Sequence, residues 1–425
     1  MLSNPFYHGD PVPLTHFLGR RSELRRLTGR ICNYGQSSAL VGDPRVGKSS
    51  ILRYLESQKD NREFYNQYPG VLYFSYLDAQ TFDPTMTLSQ FWEDALRPLT
   101  RATDFPAILQ TYEIARQNDF DTFTLENLLN TVSNSRLRLI LLLDEFDLVL
   151  HHPNLNSGTF YGGLRSLSSR SESLCLIIAA RQSLAVLNKA TQEYSRTGSP
   201  FFNIMDEVML GPFTDKDSEN LLKQAGSRFK PEEREWVFLM AGGHPYLIQV
   251  AASALWEVYE DGERNITERK KRVADVLYRE AAKTIEGTWN LWSPELKLAF
   301  AVVALDEMPN LLDKRSFNVT GMLSKLEDYA EELRHLEQSG YITPDTLLSG
   351  GWKVRVHVFT WWLADQLRRA VRDDIAFEKW FSAQEWQGLL TKGEKESFRR
   401  AVINLTPVFK EGFNLIKALL TKGKL

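Results

Sequence analysis

The chain has 425 residues, 43% hydrophobic and 25% charged, with a formal net charge of −3. That length predicts two or three domains with a core of good size, and the composition is that of an ordinary soluble protein. The near-balanced charge argues against a dedicated nucleic-acid binder, although a local basic patch is compatible with it. In chain order, the first sixteen residues, rich in Pro and His, read as an irregular arm. A helix is predicted to start within Phe17–Leu27, with Ser22 as a candidate N-cap. Residues 36–41 form an apolar strand, 49–58 a helix, and Val71–Leu77 a second strand. Residues 80–135 are mainly helical, with amphipathic stretches at Leu88–Leu96 and Leu125–Val132. The apolar run at 137–143, a helix at about 158–171, the strand Leu174–Ala180 and a short edge strand at Val208–Leu210 complete this half. Strands alternating with helices imply a parallel sheet covered on both faces.

After Gly211-Pro212-Phe213 the pattern changes. Residues 215–285 are helical, interrupted at Gly242-Gly243-His244-Pro245. Residues 291–370 hold helices and then a candidate hairpin, with Tyr341-Ile342 and Trp352–Phe359 as strands across Pro344 and Ser349-Gly350-Gly351. Residues 373–425 are helical and charged. Cys32 and Cys175 offer no metal-ligand spacing, and Cys175 reads as a core thiol. No signal peptide and no run of 18 apolar residues is found, so a reduced, cytoplasmic chain without a transmembrane segment is expected.

Two motifs carry chemistry. Gly42-Asp43-Pro44-Arg45-Val46-Gly47-Lys48-Ser49 is G-x-x-x-x-G-K-S, set between a strand and a helix. Its glycines permit close backbone approach, and its amides and the helix N-terminus present partial positive charge to phosphate. Lys48 is expected to reach the β- and γ-phosphates, and Ser49 to place its hydroxyl on Mg²⁺; Ser50 continues the loop into the helix. The second motif ends the run Leu137–Asp147, LRLILLLDEFD, which reads as a strand buried on both faces. Open α/β sheets bind ligands at such strand ends. Asp144 is expected to hold Mg²⁺ and Glu145 to act as general base on the attacking water. Asp147 either tunes the metal shell or caps the next helix.

In this order the motifs resemble the AAA+-related P-loop ATPases, in the branch shared by STAND signalling ATPases, archaeal-type ATPases and origin-recognition ATPases. Phe17-Leu18-Gly19-Arg20 with Glu23-Leu24 is similar to the family's N-terminal box near the adenine. Asp144-Glu145-Phe146-Asp147 is similar to its Walker B, and Leu210-Gly211-Pro212-Phe213 with Leu221-Leu222 to the entry of its helical lid. Gly243-His244-Pro245 resembles the G-x-P element of STAND lids, which meets the nucleotide from the far side. The resemblance implies an α/β fold: an arm (1–16), a P-loop ATPase core (17–212), a helical lid (213–288), a winged helix (289–372) and a helical tail (373–425). It also implies ATP with Mg²⁺. The fourth core strand ends Ala179-Ala180-Arg181 where the family has a small polar sensor; Arg181 either contacts the γ-phosphate or is a surface arginine. His244 either reads nucleotide state or caps a helix, with Pro245 beside it. Arg165 or Arg170 is the candidate arginine for a neighbouring subunit's site in a homo-oligomer, or part of a solvated helix face.

The winged-helix stretch Ser324–Ser339 carries Glu327, Asp328, Glu331, Glu332 and Glu337 against Lys325 and Arg334, which disfavours DNA there. Lys353, Arg355 and His357 on the wing leave an opening for backbone contacts. In the tail, Phe377, Trp380, Phe381 and Trp386 and a stripe from Val402 to Leu420 form a docked hairpin, a partner-binding or oligomerising module, or a membrane-surface face. The function expected is an ATP-binding and hydrolysing switch that engages an oligomer or effector protein. The alternatives are a DNA-associated ATPase and a nucleotide-holding adaptor.

Overall fold

The apolar runs become five parallel strands in a computed structural model, which describes residues 3–9, 11–61, 64–195, 199–311 and 320–409. The strands are β1 (Ser38–Val41), β2 (Val71–Asp78), β3 (Leu137–Asp144), β4 (Leu174–Ala180) and β5 (Asp206–Met209), in the order β2-β3-β4-β1-β5. Every residue of β3 and β4 is buried, as parallel strands covered on both faces require. The chain divides into two compact units. One is Pro11–Asp43 with Gly47–Leu210; the other is Met1–Asp10 with Pro44–Val46 and Gly211–Leu425.

The sheet lies in the first unit with α1 (Arg21–Asn33), α2 (Lys48–Ser57), α3 (Leu88–Leu96), α4 (Pro106–Gln117), α5 (Thr122–Asn134), α6 (Gly158–Arg170) and α7 (Leu184–Ala190). Leu139, Leu141 and Leu143 share a core with Phe91, Leu125, Leu128 and Leu164 from α3, α5 and α6. Helix α2 packs against β2, β3 and β4. Helix α3 starts in a capping box. The Thr87 hydroxyl accepts from Gln90 N at 3.2 Å, and the Gln90 amide oxygen accepts from Thr87 N at 2.8 Å. Ser22 is not an N-cap. Gly19 and Arg20 both adopt positive φ and turn the chain so that α1 begins at Arg21, and the Ser22 hydroxyl donates to Glu23 at 2.6 Å. Both cysteines are buried. The Cys175 thiol donates to the Gln36 carbonyl at 3.3 Å, and burial pushes its pKa up to about 12.

The second unit contains α8 (Asp215–Leu222), α9 (Pro231–Ala241), α10 (Pro245–Glu260), α11 (Ile266–Leu291), α12 (Pro294–Leu311), α13 (Thr320–Leu323), α14 (Ala330–Gln338), α15 (His357–Ala370), α16 (Asp374–Ala383) and α17 (Lys392–Phe409). The antiparallel strands β6 (Ile342–Pro344) and β7 (Trp352–Val354) form a ribbon. Asp306 and Glu307 of α12 hold it, accepting from Gly350 N and Val354 N at 2.8 Å each. The second strand ends at Val354, five residues short of the expected end at Phe359. The apolar residues Val358, Phe359, Trp362, Leu363 and Leu367 also fit one helical face, and burying that face as α15 overrides the alternation before it. His357 is therefore buried and not on the wing; its Nδ1 lies 3.0 Å from the Leu239 carbonyl and its Nε2 3.3 Å from Glu307.

In the tail, Phe377, Phe381, Trp386, Phe398 and Val402 are buried, and Trp386 Nε1 donates to the Pro294 carbonyl at 2.9 Å. The side chains from Leu405 onward, and with them the rest of the apolar stripe and Lys410, Lys417 and Lys422, lie outside the described residues.

Glu233 and Arg269 form a fully buried ion pair, 0% and 2% exposed, with Arg269 Nε 2.7 Å from Glu233 Oε1. Tyr259 donates to the other carboxylate oxygen at 2.6 Å. Glu233→Ala leaves the guanidinium uncompensated. It is expected to destabilise this unit by roughly 3–5 kcal/mol in urea unfolding followed by tryptophan fluorescence.

Candidate nucleotide-binding site

Register brings the C-terminal ends of three strands side by side. Val41 of β1 pairs with Ala180 of β4, and Leu143 of β3 pairs with Ile178. The glycine loop leaves β1 with Gly42 N donating to the Ala180 carbonyl at 3.2 Å. Gly47 has φ +104°, a conformation that side chains rarely adopt, and it turns the loop into α2. Lys48 is the first residue of that helix and is 5% exposed. Its Nζ donates to the Gly42 carbonyl at 2.7 Å and to the Asp43 carbonyl at 3.1 Å. Burial lowers the Lys48 pKa, against the opposing pull of Glu145, Asp43 and Asp147. Ser49 and Ser50 follow in the first helical turn, and Ser50 Oγ accepts from Val12 N at 3.2 Å. Pro44, Arg45 and Val46 group with the second unit. Arg45 has φ +64°, donates to the Gly9 carbonyl at 2.9 Å and lies 4.9 Å over the Tyr246 ring.

At the end of β3, Asp144 is 2% exposed and held at both oxygens. Tyr76 of β2 donates its hydroxyl to Oδ2 at 2.6 Å, and Glu145 N donates to Oδ1 at 3.0 Å. Burial first, then the Asp144 carboxylate, push the Tyr76 phenol pKa well up. Glu145 has φ +48°, left-handed backbone that a glutamate seldom occupies. Its Oε2 accepts from Arg181 Nη2 at 2.7 Å and Nε at 3.1 Å. Arg181 is thus paired with Glu145 at the strand ends while its side chain remains 34% exposed. Asp147 stands within a 3₁₀ turn at Phe146–His151, and its oxygens accept from Arg181 N at 2.6 Å and Gln182 N at 3.1 Å. It fixes the chain leaving β4, a role that neither expectation for it described.

Phe17 stacks on Tyr54 of α2 with ring centroids 4.1 Å apart, and Leu18 leads into the Gly19-Arg20 turn. Arg20 is buried and pairs with Glu23 at 3.2 Å. In the second unit, His244 stands at the N-cap position and Pro245 opens α10. Phe213 N donates to the Gly243 carbonyl at 2.9 Å, which ties the Gly211–Phe213 turn to this element. Arg170 is exposed and paired with Glu126 at 2.7 Å, and Arg165 donates to the Ser199 carbonyl.

Lys48, Ser49, Asp144, Glu145 and Arg181 therefore meet in one unit. Tyr76 was missed as a site residue, and Asp147 was singled out but for other roles. Tyr76 read only as part of a strand, and its nearness to Asp144 depends on the β2–β3 pairing, which sequence alone does not supply. The donor set suits a nucleotide with Mg²⁺: a buried ammonium facing carbonyls, a hydroxyl and a carboxylate, all hard oxygen chemistry. Among the described residues no group of three or more His, Cys, Asp or Glu could hold a metal alone. Mg²⁺ needs only one or two protein oxygens beside phosphate and water.

A parallel sheet with a glycine loop entering a helix beside a carboxylate-ended strand defines a P-loop ATPase fold. The AAA-like domain family matches residues 15–322, and the chain belongs to that family. Among solved structures it is similar to a Walker-type ATPase of Pyrococcus abyssi, PABY2304, at 17% identity and TM-score 0.47, covering 82% of this chain and 96% of that one. It is similar to the ORC2 protein of Aeropyrum pernix in its ADPNP–ADP complexes at 14% identity and TM-score 0.47, covering 82% and 94%. It is also similar to a STAND protein of Pyrococcus horikoshii with a tetratricopeptide repeat sensor, at 14% identity and TM-score 0.33, covering 99% and 59%. No curated protein matches the sequence. Among the described residues no helix is long and apolar enough to cross a membrane.

Asp147→Ala strips the acceptor from two backbone amides and is expected to cost about 1–3 kcal/mol in urea unfolding of the first unit. Asp147→Asn keeps one acceptor oxygen and is expected to lose less.

Proposed function

We propose that the chain binds ATP with Mg²⁺ and hydrolyses it slowly, and that nucleotide state governs its engagement with a protein partner. The observation that carries this reading is the strand order. With β4 between β1 and β3, Arg181 stands between the phosphate loop and the Asp144-Glu145 end. In this reading Lys48 exchanges two loop carbonyls for β- and γ-phosphate oxygens, and the glycine-loop amides of Gly42–Ser50 cradle the phosphates. Ser49 and Asp144 hold Mg²⁺, which neutralises developing phosphate charge when bound. Glu145 orients the attacking water and accepts its proton. Arg181 shifts its guanidinium from Glu145 to the γ-phosphate, which leaves the carboxylate able to take that proton.

Phe17 to Arg20 line the base side, and His244 and Pro245 belong to the lid that distinguishes ATP from ADP. The segment 289–372 is read as a winged helix. On it Glu327, Asp328, Glu331 and Glu337 are exposed, a surface that repels phosphate and suits a protein partner. The tail is the alternative partner surface. In an assembly, Arg165 or Arg170 would leave its present acceptor to reach a neighbouring site.

Lys48→Ala is expected to abolish nucleotide binding in a fluorescence titration. Glu145→Gln is expected to keep binding and to lose turnover by about 10²-fold or more. Parental turnover in Glu145→Gln would refute the assignment of the base. Light scattering of Glu145→Gln with ATP–Mg²⁺ and with ADP tests the switch. A larger species or a changed protease pattern only with ATP supports it, and identical mass and digestion in both states sinks it.

A further inference from the structure

Asp144 is the carboxylate on which the metal half of the site turns, yet a carboxylate at a strand end has two free torsions. Two hydrogen bonds remove that freedom here: the Tyr76 hydroxyl on Oδ2 at 2.6 Å and Glu145 N on Oδ1 at 3.0 Å. A carboxylate oxygen has two lone-pair sites, so each retains one for a metal or its water. Tyr76 reaches Asp144 from the neighbouring strand, where Asp78, two residues on, is the register partner of Asp144. The Arg53 guanidinium lies 5.7 Å from the centroid of the Tyr76 ring. Arg53 is four residues after Ser49 on α2, one turn along the same helical face. The helix that supplies the hydroxyl and the strand that supplies the carboxylate are therefore connected through Arg53 and Tyr76 before any metal arrives.

We propose that Tyr76 is a positioning residue for the metal-holding carboxylate, fixing Asp144 from a second strand and, with Arg53, tying it to the helix that carries Ser49. This rests on the ATP–Mg²⁺ reading above. Partners one step outside a metal's ligands orient those ligands, and their loss commonly costs 10–100-fold in metal affinity. Tyr76→Phe removes one oxygen and keeps the ring, so packing survives while the hydroxyl's bonds to Asp144 and to Arg53 are lost.

The test is Mg²⁺ titration of the full chain with a fluorescent ATP analogue, alongside analogue binding in EDTA and a thermal melt. For Tyr76→Phe the half-saturating Mg²⁺ concentration is expected to rise about tenfold, with affinity in EDTA unchanged. Arg53→Gln, which keeps the hydroxyl, is expected to shift the same midpoint in the same direction by less. It carries the test should Tyr76→Phe fail to fold. A Mg²⁺ midpoint equal to the parent's, in Tyr76→Phe or in Arg53→Gln when that variant stands alone, overturns the proposal and leaves the ATP reading intact. If the parent itself shows no analogue binding, or binding indifferent to Mg²⁺, the ATP–Mg²⁺ reading fails and Tyr76's role falls with it.

Discussion

The site depends on β4 lying between β1 and β3. Both neighbours pair with it in parallel, so the loop after β1, the carboxylates after β3 and the arginine after β4 leave the sheet at one edge and at nearly one level. Parallel pairing of this kind demands strands buried on both faces, and the runs LRLILLL and LCLIIAA are buried throughout, with Arg138 alone charged and its guanidinium satisfied by the Glu172 and Cys32 carbonyls. The charged residues at the strand ends are thus the first polar groups the chain meets on leaving an apolar layer. They are held close together because the backbone beneath them has no room to move.

Inside that cluster opposite charges already face one another before any nucleotide is considered. Lys48 and Arg181 stand against Asp144, Glu145 and Asp147. A buried ammonium without acceptors would be severely disfavoured. Lys48 instead donates to two carbonyls, and Arg181 donates to Glu145. For Lys48 a phosphate oxygen would be a stronger acceptor than either carbonyl, since charge-assisted bonds to anions exceed those to neutral carbonyls, whereas Arg181 already faces an anion.

The sequence made the core elements legible because their signals are local. Leu88–Leu96 and Leu174–Ala180 have the bounds read from periodicity, and the glycine loop enters its helix one residue earlier than read, at Lys48. What stayed hidden depended on distant pairing or on competition between two patterns. Tyr76 meets Asp144 only through sheet register, and Asp147 meets Arg181 and Gln182 only because β3 and β4 are neighbours. At Val354–Phe359 strand alternation and helical periodicity overlap, and the buried face of α15 decided between them. At Ser22 a residue fit for capping lost its place because positive φ at Gly19 and Arg20 set the helix start.

The two thiols have a practical consequence. Cys32 and Cys175 are both buried, and burial raises the pKa of each, so neither presents an accessible thiolate at neutral pH. The native chain is therefore a quiet background for thiol-reactive probes. A single cysteine at exposed Phe123 in the first unit and another at exposed Leu347 in the second can carry a spectroscopic pair with both native thiols left in place. The separation of the two units then becomes a directly readable distance in the empty, ATP-loaded and ADP-loaded chain.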